Sequence, residues 1–402
     1  MSSEQVVLKI QSGPHVGRSF TFSEPDSLLL GRSSKAHVRL DGDQHISRNH
    51  CLIEVQPPEC HIVDLDSANG TYVNEERVSD RWLKDGDTIR GGETQIAVHL
   101  KNGVTTPRQA TPAELGATCL QPAVSQPEQV AEFLLLCEVG HGSMGVVYKA
   151  EHVVTGQIVA LKLLSSELCY NEKMMQVFVR EAEILQKLSH KRIIRCVDTG
   201  ADDGRLYIAM EFVEAIDLDD VLKPLSLKKR THVVLGLMRQ ILDGLAYAHG
   251  RDLVHRDIKP RNLLVSKDNG RLNARLADFG LAKNFADAGM SQISSEHEIK
   301  GTLSYIAPEQ IVNCRFAKPT ADIFSVGATM YKLISGKTIY NLSDHETPIA
   351  TILNEGPVPL RERAPNVAGS VSKIVDRALA AEPGDRFQSA EQMRRAIKKL
   401  RH

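Results

Sequence analysis

Long hydrophobic runs are missing from this sequence. The longest apolar stretches are FLLLC at 133–137 and LLL at 28–30, whereas a membrane-spanning helix needs about 20 apolar residues. The N-terminal residues MSSEQVVLKI contain neither a basic start nor a long apolar segment, so the pattern does not predict a signal peptide. We therefore expect a cytoplasmic protein with no membrane partner.

An excess of charge and paired cysteines are also missing. The 402 residues include 49 Lys and Arg against 50 Asp and Glu, for a formal net charge of −1. This balance does not predict binding to nucleic acid or to a membrane surface. The seven cysteines are scattered and never form a C-x-x-C pair, which favours reduced thiols and argues against a zinc site.

Aromatic residues are absent between Trp82 and Phe133. Within this interval, residues 101–128 contain four prolines and four threonines among Gln, Ala and Gly. Such a stretch cannot bury enough apolar surface to offset the entropy lost on ordering. We therefore predict a flexible linker over residues 102–130 that separates a domain at 1–101 from a domain at 131–402.

The first domain has the pattern of an all-β sandwich. Turn residues such as Gly-Pro at 13–14, Asp-Gly at 41–42 and Asn-Gly at 69–70 separate short runs that are rich in β-forming residues. Regular short strands with such turns are typical of a β-sandwich. The predicted strands are VVLKI (6–10), SLLLG (27–31), HCLIEV (50–55), CHIVDL (60–65), TYV (71–73) and TQIAVHL (94–100).

The second domain changes from strands to helices along its length. Five strand-like runs end near Val213, and helical periods dominate thereafter, as in the apolar series Val233, Leu237, Ile241 and Leu245. Ser389 and Gln392 have capping-box spacing at the start of the last helix. The pattern predicts an α+β domain with a small sheet-rich lobe at about 131–213 and a larger helical lobe at about 214–402.

The stretch VHRDIKPRNLLV at 254–265 is the strongest chemical signal. It is predicted as a strand, a polar turn and a second strand, with Asp257, Lys259 and Asn262 on the turn. Phosphoryl transfer requires three such groups: a carboxylate that orients a hydroxyl, a cation near the transferred phosphate and an amide oxygen that binds a divalent ion. The simpler interpretation is a charged surface turn, and the other motifs below argue against it.

A glycine-rich segment precedes that stretch in the chain. Gly140, Gly142 and Gly145 form G-x-G-x-x-G between two predicted strands. Glycines allow a hairpin to lie close over phosphate groups, with backbone amides facing the charge. Alone the motif would be interpreted as a glycine-rich turn. Because it opens a strand and not a helix, it disfavours a dinucleotide-binding fold.

Two further motifs supply charge. Lys162 lies in VALK, within a run that should be buried on both faces, so it needs a partner. Glu181 in the following helix is the candidate partner, with Glu183 as the alternative. Asp278 of Asp-Phe-Gly ends a predicted strand and, with Asn262, would supply two oxygen ligands for Mg²⁺.

Together these motifs resemble the eukaryotic-type protein kinase domain, also found in bacterial serine/threonine kinases, over about residues 133–400. The resemblance extends to Ala-Pro-Glu at 307–309 and implies a bridge between Glu309 and Arg386. It implies that Lys162 binds the α and β phosphates of ATP and pairs with Glu181. It further implies an ATP site that includes Gly140, Gly142, Gly145, Val147, Ala160, Lys162, Met210, Glu211 and Val213.

The same resemblance assigns roles in catalysis. Asp257 would orient the substrate hydroxyl, Lys259 would steady the γ phosphate, and Asn262 and Asp278 would bind Mg²⁺. Thr302 would hydrogen-bond Asp257 and Lys259 next to the peptide-docking segment. The Lys-Pro-Arg-Asn sequence at 259–262 and Gly-Thr at 301–302 are similar to serine/threonine kinases, not tyrosine kinases.

The first domain resembles a forkhead-associated (FHA) domain over residues 6–100. Gly-Arg at 31–32, Ser-x-x-His at 47–50 and Asn-Gly-Thr at 69–71 carry the resemblance. It implies binding of phosphothreonine peptides, with Arg32 and Ser47 on the phosphate, Arg48 as a further contact and Asn69 on the peptide main chain. His50 is expected to form bonds within the loops.

The combined prediction is an ATP- and Mg²⁺-dependent serine/threonine protein kinase whose FHA domain binds phosphothreonine proteins. Two alternatives remain open, a pseudokinase scaffold that acts through the FHA domain and a small-molecule kinase of the same fold. Self-association is also open. FHA domains prefer phosphothreonine, and the activation segment at residues 283–300 contains no threonine. We therefore further hypothesise that the linker becomes an FHA ligand once it is phosphorylated at Thr105, Thr106, Thr111 or Thr118.

We predict phosphorylation of the activation segment at Ser294 or Ser295, with Ser291 as a further candidate. Arg256 adds positive charge beside the catalytic aspartate, so a phosphate on this segment could pair with it and order the segment. Mass spectrometry of active protein should detect the modified serines. Active protein without phosphate on any of the three would contradict this prediction.

Overall fold

The computed structural model describes residues 4–34, 36–101, 128–142, 145–164, 172–279, 303–312, 317–341 and 348–400, without the side chains of residues 172–177, 181 and 312. Among these residues, none of the helices combines the length and the hydropathy needed to cross a bilayer. The four cysteines at 51, 60, 137 and 196 in this part of the chain are free thiols, and burial raises the pKa of Cys60 to about 12.

The N-terminal domain is a sandwich of two sheets, as predicted. Strands β2-β1-β11-β10-β7-β8 form one sheet and β4-β3-β5-β6-β9 the other. Alternate side chains such as Leu8, Leu30 and Ile53 point between the sheets and are at most 3% exposed. The strands are β1 (Gln5–Ser12), β2 (Ser19–Phe22), β3 (Asp26–Gly31), β4 (Val38–Arg39), β5 (Cys51–Gln56), β6 (Glu59–Asp64), β7 (Thr71–Val73), β8 (Glu76–Val78), β9 (Asp80–Trp82), β10 (Thr88–Gly91) and β11 (Thr94–Lys101).

The small lobe of the second domain is one antiparallel sheet with a helix. Its strand order is β12-β13-β14-β15-β17-β16, and Phe133, Leu161 and Ala209 are buried in its own core. The elements are β12 (Gln129–Val130), β13 (Phe133–Gly142), β14 (Gly145–His152), β15 (Ile158–Leu164), α1 (Glu172–Gln186), β16 (Cys196–Asp202) and β17 (Arg205–Glu211).

The predicted linker is too long at its C-terminal end. Gln129 and Val130 form β12, which pairs with Leu134 and Phe133 of β13. Val130 is fully buried. A two-residue strand is too short to show a period in the sequence, and its burial depends on contacts that the linker composition does not reveal. Residues 102–127, the rest of the predicted linker, lie outside the described residues.

The large lobe is mainly helical. The predicted apolar face of α3 is present, with Leu237, Ile241 and Leu245 buried and Val233 partly buried. The elements are α2 (Leu218–Leu222), α3 (Leu227–His249), β18 (Leu263–Asp268), β19 (Arg271–Leu276), α4 (Pro308–Val312), α5 (Pro319–Ser335), α6 (Pro348–Asn354), α7 (Leu360–Arg363), α8 (Gly369–Ala378) and α9 (Ala390–Lys398), with short 3₁₀ turns at Pro260–Asn262 and Pro383–Asp385.

The predicted N-cap of the last helix is confirmed. Ser389 Oγ accepts a hydrogen bond from the Gln392 amide at 3.1 Å. Gln392 Oε1 in turn accepts one from the Gln388 amide at 2.6 Å. Helix α9 therefore begins at the predicted position, because Ser389 gives the Gln392 amide of the first turn a side-chain acceptor. The bond from Gln392 goes to the residue before the N-cap, so the capping box is not reciprocal.

The strand predicted at the start of 254–265 is wrong. Residues 253–259 form no strand, and Arg256 has a φ of +67°. The amides of His255 and Arg256 donate to the Asp322 carboxylate and not to a neighbouring strand. The second half of the prediction holds, because Leu263–Asp268 is strand β18.

A buried arginine connects α4 to α5 and to the segment that follows α8 in the large lobe. Arg386 is fully buried, and its guanidinium group lies 2.6 and 2.8 Å from the two oxygens of Glu309. It also donates to the carbonyls of Thr320 at 3.0 Å and Ala380 at 2.8 Å. Removing one partner of a buried ion pair leaves the other charge uncompensated.

We predict that Arg386→Met lowers the free energy of unfolding of the large lobe by about 3–5 kcal/mol. Urea titration followed by the helix signal in circular dichroism measures this loss. The control is Arg395→Met, which removes an arginine 2.7 Å from Glu391 whose side chain is 73% exposed, and which should lose less than about 1 kcal/mol. Equal losses in the two variants would contradict the importance of the buried bridge.

Candidate functional site

Three predicted catalytic side chains meet within one short segment of the large lobe. The Lys259 ammonium group lies 3.0 Å from Asp257 Oδ2. The side-chain amide of Asn262 donates to Asp257 Oδ2 at 2.9 Å and to the Asp257 carbonyl at 2.7 Å. A cation and an amide therefore orient the Asp257 carboxylate, and the amide oxygen of Asn262 is the atom that can bind a metal.

Asp322 on α5 holds the backbone of this segment. Its carboxylate accepts hydrogen bonds from the amides of His255 and Arg256, both at 2.8 Å, and His249 Nε2 lies 2.8 Å from Asp322 Oδ2. Burial opposes ionisation of Asp322, but the hydrogen bond from His249 and the neighbouring His255 keep its pKa below the ordinary value. Asp322 is thus a fully buried anion that fixes the residues just before Asp257.

The β18–β19 hairpin brings the two predicted metal ligands side by side. Leu263 and Leu276 are partners in the ladder, and the Ala277 amide donates to the Asn262 carbonyl at 2.9 Å. Asp278 follows directly, with a φ of +54°. Non-glycine residues rarely adopt this conformation, and it is frequent at functional sites. Asn262 and Asp278 therefore extend the same end of one hairpin.

Lys162 contacts a different carboxylate from the predicted one. Its Nζ lies 3.0 Å from Asp278 Oδ1, and Lys162 is 9% exposed. The side chain of Glu181 is outside the described atoms, so the pair between Lys162 and Glu181 stays a prediction. Glu183, the alternative partner, is exposed. The Lys162–Asp278 contact joins the small lobe to the large one.

The strand register places the predicted nucleotide-binding residues on one face of the small-lobe sheet. Val147 pairs with Gly140 and with Lys162, and Ala160 pairs with Met210. Residues opposite each other in a ladder, or two apart along a strand, share a face. The opposite face carries the buried core, so this face is the one that looks into the cleft.

Gly145 is required at the tip of the β13–β14 hairpin. It pairs with Gly142 and has a φ of +141°. A Cβ at this position would lie 1.9 Å from the carbonyl oxygen of Leu163. Only glycine can therefore bring this hairpin so close to β15, which carries Lys162.

The segment between the lobes is fixed from both sides. The Glu211 amide donates to the Arg195 carbonyl at 2.9 Å, and the Glu211 carboxylate lies 2.5 Å from the Arg275 guanidinium group on β19. The Val213 carbonyl accepts from the Ala215 amide at 2.8 Å. Contact between this segment and adenine stays a prediction.

The Asp-Phe-Gly segment is packed against the catalytic loop. The Phe279 ring lies 4.4 Å from the His255 ring, centroid to centroid, and Phe279 is buried. The predicted bridge between Glu309 and Arg386 is present, as described above. The remaining predicted residues of the segment, Ser291, Ser294, Ser295 and Thr302, lie outside the described residues.

The predicted phosphate-binding residues of the N-terminal domain lie on three adjacent loops. The Arg32 amide donates to the Ser47 carbonyl at 3.1 Å, and Ser47 Oγ accepts from the Ala68 amide at 2.9 Å. The Asn69 side-chain amide donates to the His45 carbonyl at 2.7 Å. Arg32, Arg48 and Asn69 are exposed, so a planar cationic group, a hydroxyl and an amide are presented together.

Two buried carboxylates that the sequence interpretation missed support these loops. Asp43 accepts from the amides of His45 at 3.0 Å and Glu93 at 2.8 Å. Asp64 accepts from the Ser67 amide at 3.0 Å. Asp43 follows the Asp-Gly turn at 41–42, and Asp64 lies near the end of the predicted strand at 60–65. These positions were the available signal.

His50 has the structural role expected for it. Its Nδ1 accepts from the Ser47 amide at 3.2 Å. It is almost fully buried, and desolvation lowers its pKa. A neutral ring at this position supports the backbone of residues 47–50 without adding charge to the site.

Comparison with known families agrees with this architecture. The protein kinase domain model matches residues 133–396, and the FHA domain model matches residues 28–92. The chain therefore belongs to the protein kinase family and carries an FHA domain before its kinase domain. Members of this family use ATP and divalent metal ions.

Named bacterial kinases are similar over the kinase domain. Serine/threonine-protein kinase pkn2 of Myxococcus xanthus is 33% identical over 267 residues, which cover 66% of this chain and 32% of that protein. PrkC of Bacillus subtilis is 31% identical over 272 residues, covering 66% of this chain and 40% of that protein. The chain thus spans between 32% and 40% of the length of these two relatives.

Solved structures are similar in fold. The kinase domain of Mycobacterium tuberculosis PknI has a TM-score of 0.52 and 28% identity, covering 69% of this chain and 99% of that one. Residues 1–466 of Rad53, crystallised with AMP-PNP, have a TM-score of 0.52 and 22% identity, covering 97% of this chain and 98% of that one. The second similarity concerns the fold alone.

We predict that Asp322→Asn raises amide hydrogen exchange in residues 254–258 by about five- to 150-fold. The asparagine amide would face backbone N–H donors, and a lost hydrogen bond of this kind is worth about 1–3 kcal/mol. Exchange with mass spectrometry measures the effect. The control is Asp376→Asn, since Asp376 also accepts a backbone amide, that of Leu360 at 3.1 Å, yet lies outside the loop. Unchanged exchange in 254–258 would contradict the anchoring role.

Proposed function

We propose that this protein is an ATP- and Mg²⁺-dependent serine/threonine protein kinase whose FHA domain binds phosphothreonine peptides. One observation carries the kinase half of the proposal. Lys162 forms an ion pair with Asp278, beside the group formed by Asp257, Lys259 and Asn262. The presence of all five side chains and the similarity to named serine/threonine kinases support this proposal over a pseudokinase scaffold.

The proposed roles in the reaction are those that the resemblance to protein kinases implies. The substrate hydroxyl oxygen attacks the γ phosphorus of ATP, the bond from that phosphorus to the bridging oxygen breaks, and ADP leaves. Asp257 orients the hydroxyl and accepts its proton. Lys259, 3.0 Å from Asp257, places positive charge beside the transferred group. Lys162 binds the other phosphates from the small lobe.

Asn262 and Asp278 are the proposed metal ligands. Carboxylate and amide oxygens are the hard ligands that Mg²⁺ prefers, and both residues extend the same end of the β18–β19 hairpin. The Asn262 amide nitrogen is bonded to Asp257, which directs its oxygen elsewhere. Mg²⁺, when bound, neutralises charge on the phosphates.

The proposed acceptors are serine and threonine hydroxyls of proteins. The relatives named above are serine/threonine kinases, which supports this substrate class. The Glu309–Arg386 bridge, which fixes the peptide-docking end of the lobe, favours a protein substrate over a small molecule.

The proposed role of the FHA domain is to bind phosphothreonine. Arg32 supplies a planar group that can contact two phosphate oxygens, and Ser47 and Arg48 add donors. Asn69 would hold the peptide main chain. Phosphothreonine in residues 102–127 of this chain is one proposed ligand, and phosphothreonine in other proteins is a second.

We predict that Asp257→Asn lowers transfer of radiolabelled phosphate from ATP to a protein acceptor by at least about a hundredfold, the contribution of a general base. The control is Asp268→Asn, the same change at an exposed carboxylate at the end of β18, which should transfer at the wild-type rate. Wild-type protein that transfers no phosphate would favour the scaffold. Asp257→Asn protein that keeps full activity would contradict the role proposed for Asp257.

We predict that Arg32→Ala weakens binding of phosphothreonine peptides by at least about tenfold, because hydrogen bonds to a charged group are worth about 1.5–3 kcal/mol. An array of phosphothreonine and threonine peptides, including the four linker threonines, measures binding. The control is Arg39→Ala, which removes another exposed arginine of the same domain. Equal binding of phosphorylated and unphosphorylated peptides by the wild type would contradict this half of the proposal.

A further inference from the structure

The FHA sheet has an apolar outer face that is buried by the kinase domain. In β3, Leu28 and Leu30 point into the sandwich, so Leu29 points outward. In β5, Leu52 also points outward and pairs with Leu29. Yet Leu29 is 2% exposed, and Leu52 and Leu65 are fully buried. We call these three leucines the outer patch.

Helices of the large lobe supply the cover. Ala350 of α6 is buried with the outer patch, and Ile349 and Leu353 of α6 pack against it. Ile311 of α4 packs both against the outer patch and against the core of the large lobe. An apolar face on a free FHA domain would be exposed to water, so its burial argues that the two domains dock.

Hydrogen bonds flank this apolar contact. Asn49 Nδ2 donates to the Leu353 carbonyl at 3.4 Å and to Asn354 Oδ1 at 3.0 Å. Asn354 Nδ2 donates back to the Leu65 carbonyl at 3.3 Å. The last carbonyls of a helix have no partner within the helix, so Asn49 caps the C-terminal end of α6 from the other domain.

Asn49 also belongs to the candidate phosphate-binding loop. It follows Ser47 and Arg48, whose carbonyls accept hydrogen bonds from the amides of Arg32 at 3.1 Å and Ser33 at 3.0 Å. Segment 47–50 is therefore held by the FHA backbone on one side and by α6 on the other. Arg32 and Arg48 stay exposed while α6 is docked, so docking does not cover the site.

We propose that the outer patch and Asn49 dock the FHA domain onto α6 of the same chain, and that docking and phosphothreonine binding strengthen each other. The second part rests on the phosphothreonine binding proposed above. Fixing segment 47–50 before the ligand arrives lowers the entropy cost of binding, and such coupling is reciprocal. The FHA domain is then a fixed part of the kinase and not a freely tethered module.

The discriminating variant is Leu353→Glu in the full chain. Leu353 lies on the kinase side of the contact and packs on the outer patch. It therefore tests FHA properties without changing an FHA residue. Asn49→Ala is the second variant, because it removes the cap and leaves every apolar contact. The control is Val154→Glu, which places the same charge on a turn residue that is 77% exposed.

Hydrogen exchange without any peptide tests docking by itself. Leu353→Glu and Asn49→Ala should both raise exchange in residues 49–53 and in 348–354, while Val154→Glu should match the wild type. Unchanged exchange in both segments for both variants would overturn the docking. Mass photometry distinguishes docking onto α6 of the same chain from docking onto α6 of a second chain. Dimers of the wild type that dissociate in Leu353→Glu would overturn docking within one chain.

Affinity for the best phosphothreonine peptide of the array tests the coupling. Leu353→Glu should weaken binding about fivefold or more, within the usual range of such coupling, and the peptide should lower exchange in 348–354 of the wild type. Equal affinities of wild type and Leu353→Glu would overturn the coupling and leave the phosphothreonine proposal intact. Failure of the wild type to bind any phosphothreonine peptide would overturn both the coupling and the phosphothreonine proposal. The exchange data without peptide would still decide the docking.

Discussion

The ion pair between Lys162 and Asp278 joins two lobes that fold around separate cores. Lys162 is almost buried on β15, and a buried ammonium ion is costly without a partner. Asp278 meets it at 3.0 Å although it has the unfavourable φ of +54°. The neighbouring Phe279 is packed on His255, which holds the strained residue in place. The charge of one lysine thus brings the sheet of the small lobe and the end of the β18–β19 hairpin together at one contact.

Buried carboxylates play a common part in both domains, because functional loops lack the ladder bonds of strands and helices. Backbone amides that leave regular structure still need acceptors. Asp322 supplies them to the catalytic loop, and Asp43 and Asp64 supply them to the FHA loops. In each case the candidate functional residues lie one to a few positions away from an amide that donates to a buried carboxylate. The irregular backbone is therefore rigid at the points where chemistry or recognition needs fixed side chains.

How much could be predicted from the sequence depends on separation along the chain. Asp257, Lys259 and Asn262 lie within six consecutive residues, so their spacing alone predicted that they meet. The strand predicted at the start of 254–265 is wrong because the Arg256 amide donates to Asp322, 66 residues away. The contact of Lys162 with Asp278 spans 116 residues and was not predicted either. Short strands such as β12, β4 and β9 carry too few residues to show a period of two, so only the tertiary contacts define them.

The three leucines at 28–30 indicate that both faces of β3 are buried, but the sequence alone does not identify the contact on the outer face. A strand with one face in a sandwich core should alternate, and a run without alternation indicates that both faces are covered. The sequence does not say what covers the second face, because the hydrogen bond from Asn49 to Leu353 crosses 304 residues. Because α6 covers the sheet face, we infer that the FHA domain can dock through this face while its loops bind a ligand. Asn49 contacts α6 and directly follows Arg48 of the candidate phosphate-binding loop. We therefore expect a change at one surface to alter the free energy of binding at the other.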